Sequence, residues 1–206
     1  MTSDEIKALL GTPDKSTWSG LRDYTLLLLA IQTGLRVSEL RALRRSDIRF
    51  GATSHLRCTG KGRKERCTPL TKQTAAALKA WLKFVPPDEV SPIFPNSRGE
   101  QLSTDGVAYI IKIHAARAVS KCPSLAAKAL TPHVLRHTAA MRLLQAGVDR
   151  TVIALWLGHE SVETTTMYLE ADLRMKQRAV NKTKFGEVSK TRFRPTDKLL
   201  AFLNAL

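Results

Sequence analysis

The chain has 206 residues, a length that suits one good core or a core with a small appendage. Hydrophobic residues make up 43% and charged residues 25%, a globular balance, but 33 lysines and arginines against 18 acids leave a net charge of +15 and a pI near 10.2, which points to a polyanion, most simply nucleic acid. The longest apolar run, Tyr24 to Ile31, is far too short to span a bilayer, MTSDEIKALL lacks the basic and apolar regions of a secretory signal, and the odd, low count of cysteines (Cys58, Cys67 and Cys122) suits a reducing compartment.

Ser3 before the acidic pair Asp4 and Glu5 predicts a capped helix through Leu10, and Gly11 to Trp18 reads as loop. Leu21 to Gln32 is apolar enough for a buried helix. Thr33 and Gly34 break it, and helical spacing resumes over Val37 to Leu43. The period then changes. Ile48 to Phe50, Ser54 to Thr59 and Arg63 to Leu70 read as short strands, with Gly60, Lys61 and Gly62 as the turn between the last two. Cys58 and Cys67 are expected to face each other across this hairpin as half-buried thiols. Thr71 caps a helix through Phe84, which Pro86 and Pro87 end. Ile93 and Phe94 read as a small strand or a packed loop. Ser103 or Thr104 starts a helix to about Val119. Thr131 followed by Pro132 starts a helix that Gly147 stops, and Asp149 caps another that ends at Gly158. Ser161 caps a helix carrying Tyr168, with more helix through Val180. Asn181 to Pro195 is a polar, basic linker before an apolar terminal helix, LLAFLNAL. The expected class is mainly α with a small antiparallel β-sheet.

Six residues stand out within these elements: Arg36, Lys61, His133, Arg136, His159 and Tyr168. Attack on a phosphodiester builds negative charge on phosphate oxygens, and preorganised cationic donors are the main means of stabilising it. Arg36 and Arg136 have the planar fork for that role. Tyr168 offers an attacking phenol, Lys61 a proton for the leaving oxygen, and the histidines a base or a hydrogen-bond donor. His133 and Arg136 share a helix face near its N-terminus, where anions are favoured. Glu39, three residues after Arg36, can buttress its guanidinium. Lys64 is close enough to Lys61 to compete for its role. His133 and His137 have the i, i+4 spacing of a zinc pair, but Val134 stands where a metalloprotease needs Glu, so no metal or other cofactor is expected. Arg63, Lys64 and Arg66 on the hairpin, and Lys112, Arg117 and Lys121 on one helix, read as DNA-backbone contacts or as a solvated basic face.

Together TGLRVSEL, GKGRKER and HVLRHTAAMRLLQAGVDRTVIALWLGHESVETTTMY resemble, in fixed order, the first-arginine box, the lysine hairpin, and the His-x-x-Arg, Leu-Gly-His and tyrosine boxes of the tyrosine recombinases, the family of phage integrases and Xer-type recombinases. The resemblance runs from about Thr2 to Val180. It implies a catalytic domain over 1–180, followed over 181–206 by a basic linker and a helix that docks on a neighbouring subunit. It implies no match to the N-terminal DNA-clamping domain usual in the family. By resemblance, Tyr168 forms a covalent 3′-phosphotyrosine, Arg36, His133, Arg136 and His159 activate the phosphate, and Lys61 is the general acid. Strand exchange would then need neither metal nor ATP. The implied setting is double-stranded DNA of a mobile element, on the bacterial nucleoid in the cytoplasm, with a tetramer as the working assembly. The alternatives are a non-catalytic DNA-binding or assembly module of this fold, and a type IB topoisomerase-like activity.

Overall fold

The computed structural model describes residues 1–59, 65–158 and Val180. In chain order these form α1 (Ser3–Leu10), α2 (Trp18–Thr33), α3 (Val37–Ala42), β1 (Ile48–Arg49), β2 (His55–Thr59), β3 (Glu65–Pro69), α4 (Lys72–Trp81), α5 (Thr104–Ala118), α6 (Pro132–Gln145) and α7 (Arg150–Leu157). The mainly helical class with one small antiparallel sheet is therefore observed.

Local chemistry accounts for most boundaries. Thr2, rather than Ser3, caps α1: its hydroxyl accepts from the Glu5 N–H, and Glu5 returns a carboxylate oxygen to the Thr2 N–H at 2.8 Å. Glu5 also accepts from Ser124 at 2.6 Å and from Lys128 at 2.7 Å, which ties α1 to the 3-10 turn Pro123–Ala127. Helix α2 starts at Trp18 because Thr17 caps it. Leu26 to Leu29 are all fully buried, so α2 is covered on every side, packed by α1, α4 and α6. The last turn of α4 tightens into a 3-10 turn, Leu82–Phe84, before the prolines.

Strand order is β1-β2-β3, antiparallel throughout. In the β2–β3 register Cys58 stands opposite Arg66 and Cys67 opposite Arg57. Directly paired residues share a face and neighbours alternate. Cys58 and Cys67 therefore lie on opposite faces and do not face each other, although both are buried. Ile93 and Phe94 form no strand. They are fully buried in a bent segment that the Trp81 indole N–H grips at the Ile93 carbonyl, 2.7 Å away.

Helix α2 anchors the main core, which reaches α1, α3, α4, α5 and the sheet. A second cluster joins α6 and α7 through Ala140, Leu143, Val152, Trp156 and Leu157, and includes Val180. Helix α7 also packs on β3. Among the described residues, no helix is long and apolar enough to cross a membrane.

Candidate active site

The site forms where α2 ends, α3 begins and α7 ends. Gly34 closes α2 in the left-handed region, at φ 65°. A Cβ there would lie 2.6 Å from Leu157 Cδ2 and 3.0 Å from Ala139 Cβ. Glycine thus serves two needs, the turn and the close approach of α6 and α7. The Trp156 indole N–H donates to the Thr33 carbonyl at 2.9 Å, which seals this contact.

Arg36 follows at once, as the N-cap residue of α3. Its backbone N–H donates to Glu39 Oε2 at 2.8 Å and its Nη1 to Glu39 Oε1 at 3.3 Å. Nη1 and Nη2 also point at the Gly158 carbonyl, at 3.4 and 3.3 Å. Arg136 arrives from the second turn of α6 and is buried, 5% exposed. Its Nη1 donates to the Gly34 carbonyl at 2.7 Å and its Nη2 to the Leu157 carbonyl at 2.9 Å. Two arginines from different helices therefore converge on consecutive carbonyls, 157 and 158, at the C-terminus of α7. A helix end leaves such carbonyls without partners in its own helix and carries partial negative charge, so cations belong there.

Arg66 completes the cluster from β3. The sequence pattern grouped it with backbone-contacting hairpin cations. The structure instead buries it at 7% exposure, with Nη1 and Nη2 on the two oxygens of Glu39 at 2.8 and 2.6 Å. A guanidinium with both terminal nitrogens on a buried carboxylate cannot also lie along a DNA backbone. The cause is the β3 register, which turns Arg66 to the same face as buried Cys58. Gly158, at φ 74°, lies against it: a Cβ there would meet Arg66 Nη1 at 2.7 Å and Cζ at 2.9 Å.

Two guanidinium groups thus hold one carboxylate, whose charge Arg136 also feels. Burial pushes the Glu39 carboxyl up, but the Arg66 hydrogen bonds and charge, then the contacts with Arg36, outweigh it and hold the group below the usual carboxylate range. Burial by itself would lower Arg66, but the Glu39 hydrogen bonds raise it instead. Arg136 is pushed down to about 10, by burial first and by the Arg36 charge next. It remains charged at neutral pH.

A shallow depression beside these groups is lined by His133, Arg136, His137, Ala140 and Leu157. His133 is exposed, and its ring stands edge-on to His137 with centroids 4.4 Å apart. Burial lowers the His137 pKa, with His133 and Arg136 adding to the effect. Among the described residues, no group of three or more His, Cys, Asp or Glu is placed to hold a metal ion. Lys112, Arg117 and Lys121 are exposed along and just beyond α5. Lys61, Arg63, Lys64, His159, Tyr168 and the terminal segment 181–206 lie outside the described residues. The structure therefore brings together Arg36, Arg136, Glu39 and His133 of the expected set and adds Arg66. It also shows a buried histidine that sequence reading passed over, His114, held between Thr12 at 2.8 Å and Asp23 at 3.1 Å. The available signal was its place on the apolar stripe of α5 with Val107, Ile110 and Ile111.

The Phage integrase family matches over residues 1–174. The integrase/recombinase y4rC of Sinorhizobium fredii is 57% identical over 206 residues, which is 100% of this chain and 62% of that protein. The tyrosine recombinase XerC of Chlamydia muridarum is 37% identical over 188 residues, covering 86% of this chain and 55% of that one. The chain therefore spans just over half the length of these relatives. A crystal structure of the XerH site-specific recombinase, bound to its difH substrate in a pre-cleavage complex, superposes with a TM-score of 0.63 at 24% identity, over 83% of this chain and 52% of that chain. At that identity the likeness concerns the fold.

Proposed function

The chain belongs to the phage integrase family, and from that premise we propose that it cuts and rejoins one DNA strand at a time through a covalent protein–DNA intermediate. The observation that carries the reading is the convergence of Arg36 and Arg136 on carbonyls 157 and 158, with a single carboxylate, Glu39, shared between Arg36 and Arg66. Guanidinium groups fixed by backbone carbonyls are the preorganised environment that a phosphodiester transition state needs. His133, exposed and lining the same depression as Arg136, adds a donor.

In the proposed step the Tyr168 oxygen attacks phosphorus and the bond from phosphorus to the 5′-oxygen breaks. A 3′-phosphotyrosine forms, His133 or His159 takes the phenol proton, and the departing 5′-oxygen takes a proton from Lys61, with Lys64 as the competing donor. His159 shares the phosphate with Arg36, His133 and Arg136. Reversal by a 5′-hydroxyl of another strand rejoins the DNA with no external energy source. The catalytic unit is 1–180, consistent with the packing of Val180 into the α6–α7 cluster. The terminal helix docks on a neighbouring copy, and a tetramer holds two duplexes. The setting is the nucleoid in the bacterial cytoplasm.

The test is trapping. The chain is incubated with a library of nicked duplexes of randomised sequence and resolved under denaturing conditions. A covalent DNA–protein band is expected for the wild type and none for Tyr168→Phe. Equal capture by both overturns Tyr168 as nucleophile, and binding without any adduct leaves a DNA-binding module of this fold.

A further inference from the structure

Arg66 has no place in the phosphate-binding set above, yet it makes the shortest ionic contacts in the cluster. It holds both oxygens of Glu39, at 2.8 and 2.6 Å, with 8% of its side chain exposed. Arg36 reaches the same carboxylate with one side-chain nitrogen at 3.3 Å and keeps 33% of its side chain exposed. Its other side-chain contacts, to the Gly158 carbonyl, are also long, at 3.3 and 3.4 Å. Two arginines thus compete for one acid, and the buried one holds it.

We infer that Arg66 is a positioning residue that occupies Glu39 so that Glu39 can aim Arg36 without neutralising it. The inference rests on the recombinase reading above. A fork-to-fork pair between a guanidinium and a carboxylate is the strongest ionic geometry available to these side chains. With Arg66 in place, Glu39 spends that geometry on β3 and offers Arg36 a single long contact plus its hydrogen bond to the Arg36 backbone. Arg36 is then oriented, charged and partly open to solvent, as a phosphate ligand must be. Without Arg66, Glu39 would be a buried carboxylate, only 3% exposed, stripped of its main partner. Such a charge is costly to leave alone. Arg36 is the adjacent cation and would swing onto it, so the acid that steadies the site would inhibit it. Gly158 keeps the arrangement in register, because only a residue without a Cβ leaves room for the Arg66 guanidinium beside it.

Two measurements test this on the full chain, at a temperature where circular dichroism shows every variant folded. The first is the single-turnover rate of covalent capture on the library duplex that the wild type captures best, at saturating DNA. Arg66→Met is expected to slow capture by at least roughly tenfold, with about a hundredfold to a thousandfold the limit if Arg36 is lost outright as a transition-state donor, while Glu39→Gln/Arg66→Met recovers to the rate of Glu39→Gln. A structural role for Arg66 would not produce this reversal among folded proteins at saturation. Arg66→Met at the wild-type rate, or a double variant no faster than Arg66→Met, overturns the inference and leaves the recombinase reading intact. Absence of any wild-type adduct overturns the recombinase reading. The second measurement needs no catalysis: titration of inorganic sulfate followed at the Arg36 Nε–H resonance. Weaker sulfate binding in Arg66→Met, restored in the double variant, supports the inference, and unchanged binding refutes it.

Discussion

Gly158→Ala probes the junction most directly, because Gly147 provides an internal control. Both glycines have φ of 74°, but a Cβ at Gly147 meets nothing within 4 Å, whereas one at Gly158 lies 2.7 Å from Arg66 Nη1, 2.9 Å from Cζ and 3.0 Å from Cδ. The shared backbone cost of placing alanine in the left-handed region is about 1 kcal/mol. At Gly158 the side chain it strikes cannot retreat freely, because Arg66 is held at 2.6 and 2.8 Å by Glu39. Breaking a buried ion pair outright costs about 3–5 kcal/mol, and a displacement of a few tenths of an ångström forfeits part of that. A total near 3 kcal/mol for Gly158→Ala follows, against about 1 kcal/mol for Gly147→Ala. In urea unfolding with a slope of about 2 kcal/mol/M, the midpoint falls by about 1.5 M in the first variant and about 0.5 M in the second. Equal losses at the two positions would refute the steric argument and with it the claim that Gly158 makes room for Arg66.

Two further expectations concern stability. Glu5 is buried against Lys128, Ser124 and the Thr2 N–H. Burial pushes its carboxyl up, but these partners prevail and bring it down from 4.5 to about 2. Its contribution is therefore complete above pH 4.5 and lost as pH falls toward 2, so the acid limb of a stability–pH profile should flatten in Glu5→Gln; an unchanged limb refutes the assignment. Trp156→Phe removes the donor to the buried Thr33 carbonyl and shrinks a fully buried side chain. A loss of about 2–4 kcal/mol is expected, visible as a fall of about 5–10 °C in melting temperature, and a fall under about 2 °C would show that the indole hydrogen bond contributes little.

Much of the architecture was legible from local chemistry. Thr17, Thr71, Ser103, Thr131 and Asp149 each cap a helix through a side-chain oxygen. The first of these, and Thr2 in α1, moved a boundary from its expected place, because several hydroxyl residues crowd those starts and only packing selects among them. The run from Leu26 to Leu29 announced a helix covered on all sides. Ile93 and Phe94 were ambiguous because two apolar residues carry no period. The cysteines and Arg66 were misplaced for one reason: the sequence does not state the strand register, and a shift of one residue exchanges the faces of a strand.

By itself the sequence determined the helical class, the small sheet and the family, because capping, apolar period and the fixed order of boxes are local or linear properties. It also nominated Arg36, Arg136 and His133 as partners. Only the tertiary structure decided how they are held. Arg36 and Arg136 meet on carbonyls 157 and 158, contacts spanning 122 and 21 residues. Glu39 proves to be shared, and Arg66 proves to be buried rather than spread on a backbone. These facts depend on which helix ends meet and on which face of β3 turns inward. Those outcomes belong to packing over the whole chain, where a buried charge must find its partner wherever the fold brings one.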